Sequence, residues 1–137
     1  MTRDLLAVLA RLRGAEVLAA RRQVMEEAGL HQAAEQRAQA AASAVVEEGR
    51  HGEDYGAWLP RGMALRAAAA AEAERAARRV SDASAALAVA RAAERAVEAL
   101  AEMREEDARR TLMRAEQRVL DEAGARRAQP QGLSPSA

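Results

Sequence analysis

Two histidines are the side chains of this sequence that could most readily hold a metal ion, and they lie far apart in the chain. Neither His31 nor His51 is followed at i+3 or i+4 by a second type of ligand on an interior face, the spacing at which two side chains of one helix can share an ion. The chain has no cysteine, so a thiolate site is excluded. We therefore expect no bound metal. A histidine on a helix seam, such as His31, is more typical of a residue that sets helix register.

Catalytic arrangements of other kinds are also missing from the sequence. It contains no nucleophile paired with a base and no glycine-rich loop that would cradle a phosphate. Hydrophobic residues make up 50% of the chain, but most of them are alanine, and phenylalanine is absent. Alanine buries little area, and burial stabilises by only roughly 25 cal/mol per Å², so no thick core with a pocket is expected. We predict a protein that is not an enzyme and carries no cofactor.

Trp58 and Tyr55 are the only aromatic residues of the chain, and they lie close together. Tryptophan and tyrosine bury much area with few rotatable bonds, so they are enriched at the centres of protein interfaces. We predict that Tyr55, Trp58 and the nearby Leu65 contact a partner. A second interpretation stays open beside this one. Trp58 could instead pack on Val45, Val46 or Leu65 and close the end of a helical pair.

Four arginines in the C-terminal part of the chain form a second candidate binding surface: Arg109, Arg110, Arg114 and Arg118. Acidic residues lie between them at spacings that also allow an ordinary solvated face with i,i+4 ion pairs. These acidic residues are Glu105, Glu106, Asp107, Glu116 and Asp121. Over the whole chain, 21 basic and 21 acidic residues give a formal net charge of +0, so no overall field would recruit nucleic acid.

Helix-breaking residues are concentrated in one stretch, GRHGEDYGAWLPRG, which divides the chain into two helices. Elsewhere alanine, arginine, glutamate and leucine dominate, and with 31% charged residues this composition is typical of long helices and coiled coils. We predict a helix over residues 3–48, a turn over 49–60 and a helix over 61–127, together forming one α-helical domain over residues 1–128. Two prolines in the last segment predict a disordered tail over residues 129–137.

Both predicted helices carry small apolar residues at alternating three- and four-residue spacing, the pattern of a coiled coil. On the first helix this seam comprises Val17, Ala20, Val24, Ala28, His31, Ala34, Ala38, Ala41 and Val45, preceded by a slightly rotated stripe of Leu5, Leu9 and Leu12. On the second helix it comprises Ala73, Ala77, Val80, Ala83, Leu87, Ala90, Val97, Ala101, Ala108 and Ala115. The predicted fold class is therefore all-α, a long two-helix antiparallel coiled-coil hairpin.

The two predicted helices differ in length, about 70 Å for the first and about 100 Å for the second at a rise of about 1.5 Å per residue. In a hairpin the longer helix outruns the shorter one. Residues 108–127 are therefore predicted to form a C-terminal single-helix overhang with no partner inside the chain. This overhang carries the four candidate arginines.

No part of the sequence predicts a membrane-spanning segment or a secretion signal. Asp4, Arg11 and Arg13 interrupt the first apolar stretch, and no run of about 18 uncharged apolar residues occurs. We expect a soluble cytoplasmic protein. A phasin-like protein that lies on a membrane surface would need a wide apolar face flanked by cations, whereas the seams here are narrow and their flanking charges mixed.

Three features make the chain resemble the FliJ family, the small coiled-coil component of the bacterial flagellar protein-export apparatus. They are the aromatic-bearing break DYGAWLPRG, the long return helix, and the closing stretch ERAVEALAEMREEDARRTLMRAEQRVLDEAGARR. The resemblance covers nearly the whole chain, and the ending AEQRVLDEAGARR is its most specific part. The chain departs from better-known members in having far fewer large polar and aromatic residues.

The resemblance implies a stalk-like role in type III export. Members of the family resemble the central stalk subunit of rotary ATP synthases, insert their paired terminal ends into the hexameric export ATPase, and contact the membrane export gate protein near the turn. Here that would place the four arginines at the ATPase and Tyr55, Trp58 and Leu65 at the gate, with export chaperones as further candidate partners. The protein would be cytoplasmic and peripheral at the cytoplasmic face of the inner membrane. A stalk protein of a non-flagellar type III secretion system, or a generic coiled-coil interaction protein, stays open as an alternative.

Overall fold

The structure is a computed structural model that describes the backbone of residues 2–128 and the side chains from residue 4 onward. Helix α1 spans Thr2–His51 and helix α2 spans Tyr55–Ala128. The two helices pack together, and the described residues contain no strand, so the predicted all-α class is confirmed. The predicted tail, residues 129–137, lies outside the described part of the chain.

The chain separates into two compact units, residues 1–95 and residues from 96 onward. The first unit contains α1 and the N-terminal part of α2. Every residue that is buried in the described part of the chain belongs to this unit. Its core is therefore the contact between α1 and α2, and that contact decides how the sequence folds.

On α1 the buried positions are Val17, Ala34 and Val45. Half-buried residues continue this stripe at three- and four-residue spacing: Leu6, Leu9, Arg13, Ala20, Val24, Glu27, His31, Ala38 and Ala41. Most of the predicted seam is thus confirmed, but three positions were wrong. Ala28, Leu5 and Leu12 are exposed. The half-buried stripe, with its three- and four-residue spacing, passes instead through their neighbours Glu27, Leu6 and Arg13.

On α2 the buried alanines are Ala73, Ala76 and Ala83. Val80, Leu87 and Ala90 lie between and after them on the same stripe and are half-buried, as predicted. The predictions for Ala77, Ala108 and Ala115 were wrong, since all three residues are exposed. In place of Ala77, Ala76 takes the interior position with 0% of its surface accessible. Adjacent alanines have equal hydrophobicity, so composition alone could not tell which of the two faces α1.

The middle of the core consists of alanine methyl groups. Ala34 of α1 packs with Ala73 and Ala76 of α2, and the partly buried Ala38 lies against them. Such small side chains let two helix backbones approach closely, but each buried methyl contributes only about 0.8 kcal/mol. The helix pair therefore has little hydrophobic energy per layer, and single polar contacts can influence how it aligns.

The connection between the helices is shorter than the predicted turn over residues 49–60. Helix α1 continues to His51 and α2 begins at Tyr55, which leaves only residues 52–54 between them. Pro60 lies inside α2, in its second turn. Proline removes one backbone hydrogen-bond donor from a helix, and this loss falls near the N-terminus, where few backbone bonds depend on it. The sequence thus predicted the position of the turn correctly but made the turn too long.

Gly52 ends α1, and Asp54 begins α2. The Gly52 amide donates to the Glu48 carbonyl at 2.9 Å, and the Asp54 carbonyl accepts from the amides of Ala57 and Trp58 at 3.1 Å each. A Cβ added to Gly52 would lie 2.7 Å from the Glu48 carbonyl oxygen, so any larger residue would displace the backbone. Aspartate is also among the residues preferred immediately before a helix. These local features set where α1 ends and α2 begins.

Replacing Ala76 by aspartate should destabilise the helix pair by about 3 kcal/mol, because the charge would be buried without a partner. The matched control is Ala77→Asp, one residue along the same helix on the exposed side, which should change stability by less than about 0.5 kcal/mol. Thermal unfolding followed by circular dichroism compares the two. Equal melting temperatures would contradict the assignment of Ala76 to the core.

Candidate protein-interaction sites

Tyr55, the first residue of α2, packs across the connection onto the last turn of α1. Its ring lies beside Gly49, where an added Cβ would sit 3.4 Å from the Tyr55 Cζ atom, an ordinary contact distance. Tyr55 is half-buried there. The predicted partner-binding residue therefore also holds the two helix ends together, and only part of its ring is available to a partner.

Trp58 lies one helical turn further on, and its indole ring covers the backbone of Gly62 on the same helix. Gly62 is buried although it lies near the end of the helix pair, and a Cβ added to it would overlap the ring. The ring is itself half-buried. Trp58 thus packs on Gly62 of its own helix, a contact that neither interpretation from the sequence anticipated.

Leu65 is the third residue predicted for this site, and 56% of it is exposed. Two further apolar residues near the turn are similarly exposed, namely Val46 on α1 and Met63 on α2. Sequence reasoning missed these two as candidate contacts, although both are apolar residues off the seam and close to the turn. Together with Tyr55 and Trp58 they define an apolar surface, which we call the turn surface.

The second candidate surface lies on α2 beyond the first unit. Every residue from Glu102 to Ala128 is exposed, including the predicted arginines Arg109, Arg110, Arg114 and Arg118. Arg110 forms an ion pair with Glu106 across one helical turn, at 2.7 Å. This contact fits the solvated-face interpretation for that arginine. All four arginines lie on the exposed helix, where Arg110, Arg114 and Arg118 share one face at four-residue spacing and Arg109 lies about 100° away from Arg110.

An apolar stripe runs along the same segment. Leu112, Ala115, Val119 and Leu120, with Glu116 between them, line a shallow open groove at three- and four-residue spacing. About two thirds of each of the three larger apolar side chains is exposed. Exposed apolar residues at helical spacing are typical of a helix that packs against something else. We call this segment, residues 102–128, the exposed helix.

A charge network joins α1 to α2 within residues 1–95. Arg79 Nε lies 3.4 Å from Glu27 Oε2 on the other helix, and Arg79 Nη2 donates to Glu72 Oε1 on its own helix at 3.2 Å. Arg75 also donates to Glu72 Oε2, at 2.8 Å. The hydrogen bonds from Arg75, and then from Arg79, hold the pKa of the Glu72 carboxyl below its usual value. Sequence reasoning missed Glu27, although its seven-residue spacing from Ala34 would have indicated it.

The two histidines form short contacts along α1. His31 lies 3.3 Å from Glu35, and His51 lies 3.0 Å from Glu47, each one helical turn away. Within residues 2–128 no cluster of three or more potential metal ligands occurs. Over the same residues, neither helix has a stretch long and apolar enough to cross a membrane.

Comparisons with known proteins add no relative to this description. No protein-family model matches the chain, and searches of curated proteins and of solved structures find no match.

Replacing Gly62 by alanine should force the Trp58 indole off the helix, because the new methyl group occupies its place. We expect the fluorescence emission of this single tryptophan to shift to longer wavelength and its quenching by acrylamide to increase. Gly56→Ala is the control, since nothing lies within 4 Å of a Cβ at that position, and it should stabilise the helix by up to about 1 kcal/mol. Identical emission and quenching in both variants would show that the indole does not cover Gly62.

Proposed function

We propose that this chain is a stalk-like coupling protein of the flagellar export apparatus, an antiparallel coiled-coil hairpin that links the hexameric export ATPase to the membrane export gate. The exposed helix would bind the ATPase, and the turn surface would bind the gate. This places the protein in the cytoplasm, at the cytoplasmic face of the inner membrane. The proposal joins the FliJ resemblance to the two surfaces that the fold leaves uncovered.

Three contacts support the antiparallel hairpin. Tyr55 meets Gly49 next to the connection, Ala34 packs with Ala73 and Ala76 further away, and Glu27 pairs with Arg79 further still. As the residue number on α1 falls, the number of its contact residue on α2 rises. This order is expected for two antiparallel helices of one hairpin. The three-four spacing of buried and half-buried residues on both helices supports coiled-coil packing.

The observation that carries the proposal is the exposed helix itself. Twenty-seven consecutive residues, 102–128, contain no buried or half-buried side chain, yet they include an apolar stripe of Leu112, Val119 and Leu120. A helix of this kind gains little stability from its own propensity and needs a partner to cover its apolar residues. A ring that encloses a helix, as an ATPase hexamer does around a stalk, would provide such a cover on all sides.

The arginines of the exposed helix offer a cationic face to an acidic partner. Arg110, Arg114 and Arg118 lie four residues apart on one face of the helix, and Arg109 points about 100° away from Arg110. Acidic loops of the ATPase ring could contact this face. Charges at such a site mainly guide association and fix orientation, while the apolar stripe contributes the burial.

Replacing Arg109, Arg110, Arg114 and Arg118 by glutamine should weaken ATPase binding by at least about tenfold, since each exposed ion pair contributes up to about 1 kcal/mol. Binding should also become less dependent on salt, because surface attraction is screened over about 8 Å at physiological ionic strength. The hydrolysis rate of the purified export ATPase, titrated with each variant at two salt concentrations, measures both effects.

The control for that experiment has the same change in charge elsewhere in the chain. Glutamine replaces four arginines that are exposed within the first unit: Arg21, Arg22, Arg37 and Arg78. This variant should stimulate the ATPase as the unchanged protein does. Equal titration curves for both glutamine variants would refute a role of the exposed helix in ATPase binding.

Replacing Trp58 by alanine should weaken binding to the export gate by roughly 30-fold, the effect expected for an aromatic residue that anchors an interface. Helicity should hardly change, because the indole packs on Gly62 of its own helix. Binding to the purified gate domain and circular dichroism together provide the readout. Leu30→Ala, an exposed apolar residue of α1 away from the turn, is the control. Parallel loss of helicity and of all binding by Trp58→Ala would show a structural role instead.

A further inference from the structure

The apolar layers between α1 and α2 hardly distinguish one alignment of the helices from another. Ala34 now packs with Ala73 and Ala76. A slide of seven residues keeps the same faces in contact, because a heptad repeats the seam. Ala34 would then face Val80 and Ala83, which are also small seam residues. Apolar burial therefore gives little preference for the observed register.

The ion pair of Glu27 with Arg79 does distinguish the registers. Among the pairs formed by the described residues it alone joins α1 to α2, and the Glu27 side chain is only 14% exposed. Glu27 Oε2 accepts no hydrogen bond, so the Arg79 guanidinium 3.4 Å away is the charge that compensates it. After a slide of seven residues Glu27 would face Ala86 in place of Arg79 and lose that compensation, which is costly for a nearly buried carboxylate.

The surrounding side chains hold this ion pair in place. Gln23 Nε2 donates to Glu27 Oε1 at 2.9 Å on α1, and Glu72 accepts from Arg79 on α2. Arg75 also donates to Glu72, and this hydrogen bond lowers the pKa of the Glu72 carboxyl. Both partners are thus positioned by their own helices before they meet.

The turn segment favours the other register. In the observed one, Pro60 lies in the second turn of α2, where its missing N–H removes a backbone bond. A slide of seven residues would move the middle of the turn by half that distance, from Glu53 to near Ala57. Gly56 could then end α1, and Pro60 would fall at the start of α2, positions at which glycine and proline are preferred.

We propose that residues 1–95 can pair in two registers one heptad apart and that the Glu27–Arg79 ion pair selects the observed one against the preference of the turn segment. Loss of this pair would displace one helix along the other by about 10 Å, seven residues at about 1.5 Å each. Such a displacement could carry a mechanical signal along the helix pair. The inference concerns helix pairing only and does not depend on the export partners.

Disulfide trapping distinguishes the two registers, and the chain contains no cysteine that would interfere. Ala34→Cys with Ala73→Cys reports the observed register, and Ala34→Cys with Val80→Cys reports the shifted one, because a disulfide requires Cβ atoms about 4 Å apart. Each cysteine pair is made in three backgrounds: unchanged, Glu27→Gln, and Glu26→Gln. Glu26 is exposed on the neighbouring position and is the matched control.

Glu27→Gln should raise the ratio of shifted to observed product by roughly fivefold, the change expected from the loss of one modest ion pair, while Glu26→Gln leaves it unchanged. Adding Pro60→Ala to Glu27→Gln should return the ratio toward its original value, since the turn then no longer favours the shift. An unchanged ratio in Glu27→Gln would overturn the proposal. Loss of both products together with helicity would also overturn it, because the pair would then hold the helices together rather than select between registers.

Discussion

Close packing of alanine on alanine between α1 and α2 is the constraint on which the rest of this structure depends. Ala34, Ala73 and Ala76 meet at the centre of the helix pair with almost no accessible surface. Because these side chains are so small, the helix backbones can approach closely and pack over a long distance. The same smallness limits the free energy of each layer. A structure of this kind is long and regular but weakly specified by its apolar contacts.

Because apolar contacts favour the observed alignment of α1 and α2 only weakly, polar contacts and the connection over residues 52–54 matter more. The Glu27–Arg79 ion pair adds a directional contact in the middle of the seam, and the close approach of Gly52 to Glu48 determines where α1 ends. In a core of large side chains, interlocking shapes would select the alignment, and one ion pair would matter little. Here the Glu27–Arg79 ion pair takes over that role.

The same constraint leaves two surfaces uncovered. A narrow seam covers one stripe of each helix, so the apolar residues of the turn surface and of the exposed helix have no interior to enter. Val46, Met63 and Leu65 lie near the turn, while Leu112 and Val119 lie on the exposed helix. Both surfaces combine exposed apolar residues with nearby charges, a composition that fits the proposed binding of partner proteins.

The amino-acid sequence alone determined the helical class, the place of the break and the spacing of the seams. Alanine-rich helix formers, one cluster of glycine and proline, and repeated small residues are local signals that need no tertiary contact to be recognised. Only the tertiary structure decided which residue of each neighbouring pair faces the other helix. Glu27 rather than Ala28 does so on α1, and Ala76 rather than Ala77 does so on α2. Neighbouring alanines are equally apolar, so their orientation depends on how the opposite helix lies. It also decided that α2 begins at Tyr55 and continues through Pro60, because the packing of Tyr55 on Gly49 and of Trp58 on Gly62 joins residues that local propensity treats separately.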